Sequence, residues 1–116
     1  MYQPKRIKIG AHNWRIFWKH NDLGGAAGVC CPPQHQIAVD VMQDDENSMS
    51  SGSVFHTFLH EIMHAIDATY CDCRIFKGAK HGDEHKWMNP FVEGLMQFLL
   101  DNWVALDKMR KTLDKG

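Results

Sequence analysis

His60-Glu61-Ile62-Met63-His64 lies inside a stretch, Val54 to Tyr70, that contains neither glycine nor proline. Ser50, Ser51 and Ser53 precede it as candidate N-caps, and Phe55, Phe58, Leu59, Ile62, Met63 and Ile66 recur at helical spacing. Together these features predict an amphipathic helix over residues 53–70. On a helix, positions four apart differ by about 40° in azimuth and roughly 6 Å in height, so His60 and His64 can grip one ion. Neutral imidazoles suit Zn²⁺, and a site with three protein ligands keeps a fourth position for a water whose pKa falls from 15.7 towards about 7. Glu61 follows the first histidine directly and is placed to take that water's proton. The pattern therefore points to zinc-dependent hydrolysis, because two histidines flanking a glutamate on such a helix are costly to bury without a partner.

Two imidazoles do not complete a catalytic zinc site, so a third ligand is expected from the next helix along the chain. That helix is predicted over residues 83–103, from Trp87, Met88, Phe91, Val92, Leu95, Met96, Phe98 and Leu99, with Pro90 removing a backbone donor and kinking it. His81, Glu84 and His85 lie at or just before its start and are the candidate ligands. Residues 107–116, with Lys108, Arg110, Lys111 and Lys115, read as a solvated polar tail.

Upstream of the histidines the period changes to two. Lys5 to Ile9 and Trp14 to His20 read as a hairpin around Gly10-Ala11-His12-Asn13, and Asn21 to Gly28 as a glycine-containing loop. Val29-Cys30-Cys31 forms a short strand before the turn at Pro32-Pro33, and Gln36 to Met42 alternates Ile37, Val39 and Val41 as a half-buried strand. Residues 1–42 are thus a sheet region, and the whole chain is one α+β domain.

With 116 residues and 44% apolar content there is room for one core and no separate substrate domain. A net charge of −1 gives no general pull towards nucleic acid or anionic lipid, and no basic stripe stands out. No run of 18 apolar residues suggests a membrane span, and Met1 to Lys8 lacks an apolar signal core. Cys30, Cys31, Cys71 and Cys73 have neither a disulfide-framework spacing nor the two-residue gap of a zinc knuckle, so reduced thiols in a cytoplasm are expected. Cys71, seven residues after His64, is expected to line the cleft.

His60 to His64, followed by Glu93-Gly94-Leu95-Met96-Gln97-Phe98-Leu99-Leu100-Asp101-Asn102, resembles a family of small phage-type and bacterial zincin-like proteins. The resemblance extends to the strands at Gly28-Val29-Cys30 and Ile37 to Val41. It implies a compact zincin-like fold with a small N-terminal sheet, a metal helix and a closing helix. It also implies one Zn²⁺ per chain, Glu61 as general base, a peptide or protein substrate and, for a phage-encoded member, a host cytoplasm. In that family the third ligand is a glutamate on the closing helix. Counting back from Gly94, Gln97 and Asn102 places His85 at that position, with Glu84 beside it, so His85 is the expected third ligand and Glu84 the alternative. His81-Gly82-Asp83-Glu84-His85-Lys86-Trp87-Met88 is similar to the third-ligand motif of the SprT family, which makes His81 a further alternative.

Tyr70, Arg74 and His81 are candidates to stabilise an oxyanion, and Asp67 is either a residue orienting a ligand or a solvent-facing acid. His12, His20, His35 and His56 read as ordinary polar groups. Two rival functions remain open: a zinc-binding protein that cleaves nothing, and a DNA-associated protease of the SprT kind.

Overall fold

A computed structural model describes residues 1–42, 49–76 and 83–113, with the side chains of residues 83–85 outside that description. Four strands, β1 (Arg6–Ile9), β2 (His12–Lys19), β3 (Gly28–Cys31) and β4 (Gln36–Asp40), precede three helices, α1 (Ser51–Cys71), α2 (Asp83–Asp101) and α3 (Trp103–Lys111). The sheet order is β1-β2-β4-β3, with β2 parallel to β4 and the other two pairings antiparallel. This is a mixed sheet in an α+β domain.

Local chemistry sets the strand positions. The β1–β2 register joins Ile9 to His12 across a two-residue turn in which Gly10 has φ +62°. That is the turn geometry whose twist suits a hairpin, and it starts β2 at His12, two residues before the predicted Trp14. Between β3 and β4 a 3₁₀ turn, Pro32–Gln34, ends on His35 in the left-handed region, and the His35 N–H donates to Pro32 O at 3.0 Å. Asp40, buried at the end of β4, accepts from the backbone of Asn21 and Met42 through Oδ1, both at 2.9 Å.

One face of the sheet is buried. Ile7, Ile9, Trp14, Ile16, Ile37 and Val39 pack under Phe58, Ile62, Ala65 and Ile66 of α1 and Phe91 and Phe98 of α2. Each such apolar side chain removed from water contributes about 1.5–3 kcal/mol before entropy is counted. The opposite face is basic: Arg6 and Arg15 are cross-strand neighbours, and Arg15 and Lys19 both lie over the Phe17 ring, at 5.1 and 5.6 Å from its centroid.

The C-terminal region also departs from expectation. The closing helix stops at Asp101, because Asn102 leaves helical geometry and turns its side chain to the edge of β1. Its Oδ1 accepts from Lys8 N at 2.8 Å, and its Nδ2 donates to Lys8 O at 2.7 Å. The predicted polar tail is helical through Lys111. Met109 is buried in the core, and the Tyr2 N–H donates to Thr112 Oγ1 at 2.6 Å, tying the helix to the N-terminal segment. Pro90 lies within α2, which continues through it. Among the described residues no helix is long and apolar enough to cross a membrane.

Candidate functional site

Helix α1 carries the candidate residues and is capped at both ends. Ser50 accepts from Ser53 N at 3.2 Å, and at the far end Asp72, in the left-handed region, donates its N–H to Asp67 O. The buried positions Val54, Phe58, Glu61, Ile62, Ala65 and Ile66 face the sheet. His60 is exposed and His64 half-buried, on the flank beside that face, with their ring centroids 4.9 Å apart and nearly perpendicular.

Glu61 is the buried member of the motif, 7% exposed. It is held close to β3, the outermost strand in the sheet order, because Gly28 has no side chain. A Cβ built at Gly28 would lie 2.8 Å from Thr57 Cγ2, 3.0 Å from Glu61 Cγ and 3.2 Å from the Ala38 carbonyl. Sequence reasoning placed Gly28 at the end of a flexible loop and missed this role. The signal available was a glycine beginning a strand, where close backbone approach is one of the few reasons for it.

Two clefts open on either side of Glu61. One, of ≈ 220 Å³, is lined by Gly28, Val29, Cys30, Pro32, Glu61, His64, Asp67 and Cys73. The other, of ≈ 350 Å³, is lined by Ala27, Gly28, His56, Thr57, His60 and Glu61. Sharing Gly28 and Glu61, they form a groove along β3 with a histidine of the motif on each side. His56, read as ordinary from the sequence, lies in this groove beside His60.

Beyond His64 the chain turns back, and Asp67 organises the turn. Its carboxylate accepts from Ile75 N at 2.9 Å and Phe76 N at 3.0 Å, while its backbone carbonyl accepts from Cys73 N at 3.1 Å. Asp67 is 1% exposed, so the solvent-facing reading is overturned. The turn presents Phe76 edge-on to His64, with centroids 5.3 Å apart, and Phe76 in turn meets Phe91 of α2 at 5.7 Å.

The remaining candidates sort clearly. Cys71 lines neither cleft; it is buried between α1 and α2, its thiol donating to Trp87 O at 3.5 Å, and Cys30 and Cys73 are the cysteines that reach the groove. Burial, and then the Asp67 carboxylate, push the Cys71 thiol above its ordinary value. The Tyr70 ring packs where side chains at Gly94 and Gly10 would stand, and Arg74 is exposed in the turn; neither lines the groove. His12 and His35 stack on one another at 4.1 Å and line a separate pocket with Ala68 and Thr69.

His85 and Glu84 fall in the first turn of α2, but their side chains, and the whole of His81, lie outside the described residues. Among the described residues no three His, Cys, Asp or Glu side chains gather to hold an ion. What is described fits a zinc centre in part: two neighbouring imidazoles, a carboxylate beside them and an open groove. No protein-family model, curated protein or solved structure matches this chain.

Proposed function

We propose that this protein is a zinc-dependent metallopeptidase with a zincin-like arrangement. The observation that carries the reading is the position of Glu61, buried against the edge strand at the junction of two clefts, with His60 and His64 alongside. His60 and His64 hold one zinc ion together with a third ligand at or just before the start of α2 in sequence: His85 by sequence register, with Glu84 and His81 as alternatives. Bound there, zinc supplies Lewis acidity to the scissile carbonyl and acidifies a water. Glu61 takes the proton of the attacking water and returns it to the leaving amine.

The substrate is an extended peptide or protein segment. Among the described residues no strand pairs with β3 on its outer side, and a sheet edge of this kind is where an extended segment adds as a further strand. Such a strand would run along the groove past Glu61. The cysteine pattern favours a reducing cytoplasm as its setting.

Hydrolysis of a mixed peptide library by the zinc-loaded chain, compared with Glu61→Gln, tests the reading. Cleavage by the native chain, lost in Glu61→Gln at unchanged zinc content, supports it. Zinc binding without cleavage would favour the non-catalytic rival.

The basic outer face gives a nucleic-acid-linked reading one specific observation. Arg15 and Lys19 lie over Phe17, with Arg6 across the strands from Arg15, on the side of the sheet away from α1. Salt-dependent DNA binding, weakened by Arg15→Glu, is its test.

A further inference from the structure

Helix α2 buries less of its apolar surface than its sequence provides. Successive helical positions are 100° apart, so Phe91, Gly94 and Phe98 form the sector packed on the core. Met88, Val92, Met96, Leu99 and Leu100 occupy the adjoining sector of roughly 120°, interrupted by Asn89, and all are exposed. Met96 is 55% and Leu100 68% exposed, and the surface continues onto Trp103 and Val104 at the start of α3, the latter 70% exposed. The other flank is polar: Lys86, Glu93, Gln97 and Asp101.

The size of this surface suggests what covers it. The seven apolar residues expose roughly 700 Å², more than the few hundred Å² of the largest patch on a typical monomer and close to the ≈ 800 Å² each partner contributes to a standard interface. Two copies of the patch would therefore bury a total in the range of stable dimers. The row is also self-complementary. Met96 has Val92 four residues before it and Leu100 four after, so a twofold axis at Met96 sets Val92 of each copy against Leu100 of the other.

We propose that the protein forms a twofold homodimer through antiparallel pairing of α2, centred on Met96. A parallel arrangement would align the two helix dipoles and bring Glu93, at the edge of the patch, beside its own copy; the antiparallel one avoids both. None of the patch residues lines the groove. The proposal stands independently of the catalytic reading.

Sedimentation equilibrium of the full chain at concentrations up to about 100 µM tests it, with circular dichroism as the check on folding. The native chain is expected to sediment as a dimer. Met96→Lys sets two lysines against each other on the axis and is expected to raise the dissociation constant about tenfold or more, while Gln97→Lys, further round the polar flank, leaves it unchanged. Met96→Cys is expected to cross-link under mild oxidation where the native chain, with its own cysteines, does not. A native monomer throughout this range overturns the proposal, as does a dimer unaffected by Met96→Lys. A monomer that instead binds zwitterionic phosphatidylcholine vesicles through the patch also overturns it, and assigns the surface to lipid.

Discussion

His64 and Phe76 meet edge to face, their ring centroids 5.3 Å apart, and Phe76 is set in place by a carboxylate nine residues earlier. Asp67 thus acts on the candidate metal ligand through the turn it holds rather than by touching the imidazole. Removing the carboxylate in Asp67→Ala leaves two amides without their acceptor, a loss of about 2–4 kcal/mol. Thermal denaturation should show a fall in Tm on the order of 10 °C. Phe76→Ala, at an exposed ring, should change Tm little but weaken zinc binding up to about tenfold, because the rotation of His64 is no longer restricted. Equal zinc affinity in Phe76→Ala and the native chain would refute the buttress.

Gly28 separates β3 from α1 by less than a methyl group needs. Gly28→Ala is expected to destabilise by about 1–3 kcal/mol and to displace Glu61, lowering peptide hydrolysis more than the stability loss accounts for. The nearest atom, Thr57 Cγ2 at 2.8 Å, is absent in Thr57→Ser, so the double variant should recover part of the stability. Denaturant melts of the native chain, the two single variants and the double variant measure this coupling directly.

Gly94 presents a contest between two effects. Alanine in a helix gains about 1 kcal/mol over glycine. Here, however, its Cβ would stand 2.5 Å from Tyr70 Cδ2 and 2.9 Å from Ile66 Cγ2, in the contact between α1 and α2. Overpacking should win, so Gly94→Ala is expected to be net destabilising by about 1–2 kcal/mol in chemical denaturation.

The Cys71 thiol should resist alkylation at neutral pH in the folded protein, because burial and Asp67 disfavour the thiolate. Its sign in a pH titration follows from the raised folded value. Below the ordinary thiol value of 9.0 both states are protonated and the contribution is constant. Above it the unfolded chain ionises first, so stability falls with rising pH until the folded thiol also ionises. Cys71→Ala should flatten that alkaline decline in urea melts.

Much of this architecture was legible because local rules and tertiary packing agree. Ser50 caps α1 beside its predicted start, the apolar period places Phe58, Ile62 and Ile66 on the core face, and alternation identified Ile37 and Val39. What was not legible depends on partners distant in sequence. No local signal places β4 between β2 and β3, since alternation gives the face of a strand and not its neighbours. Met109 sits in a charged segment whose polarity outweighs one apolar residue, until its contact with the core is known. Asp67 was ambiguous because an acid on a helix is usually solvated; its acceptor role is created by a turn in which Asp72 and Cys73 both take positive φ. Cys71 was expected at the cleft on helical spacing alone, but the helix packs that position under α2.

Zinc stoichiometry, measured by elemental analysis on the reconstituted native chain and on His60→Ala, His64→Ala, His85→Ala, Glu84→Ala and His81→Ala, tests the central claim most directly. The account predicts one zinc per native chain, lost with His60 or His64 and with one of the three residues at or before the start of α2. A native chain that holds no zinc after reconstitution, or holds it undiminished without His60 and His64, would contradict it.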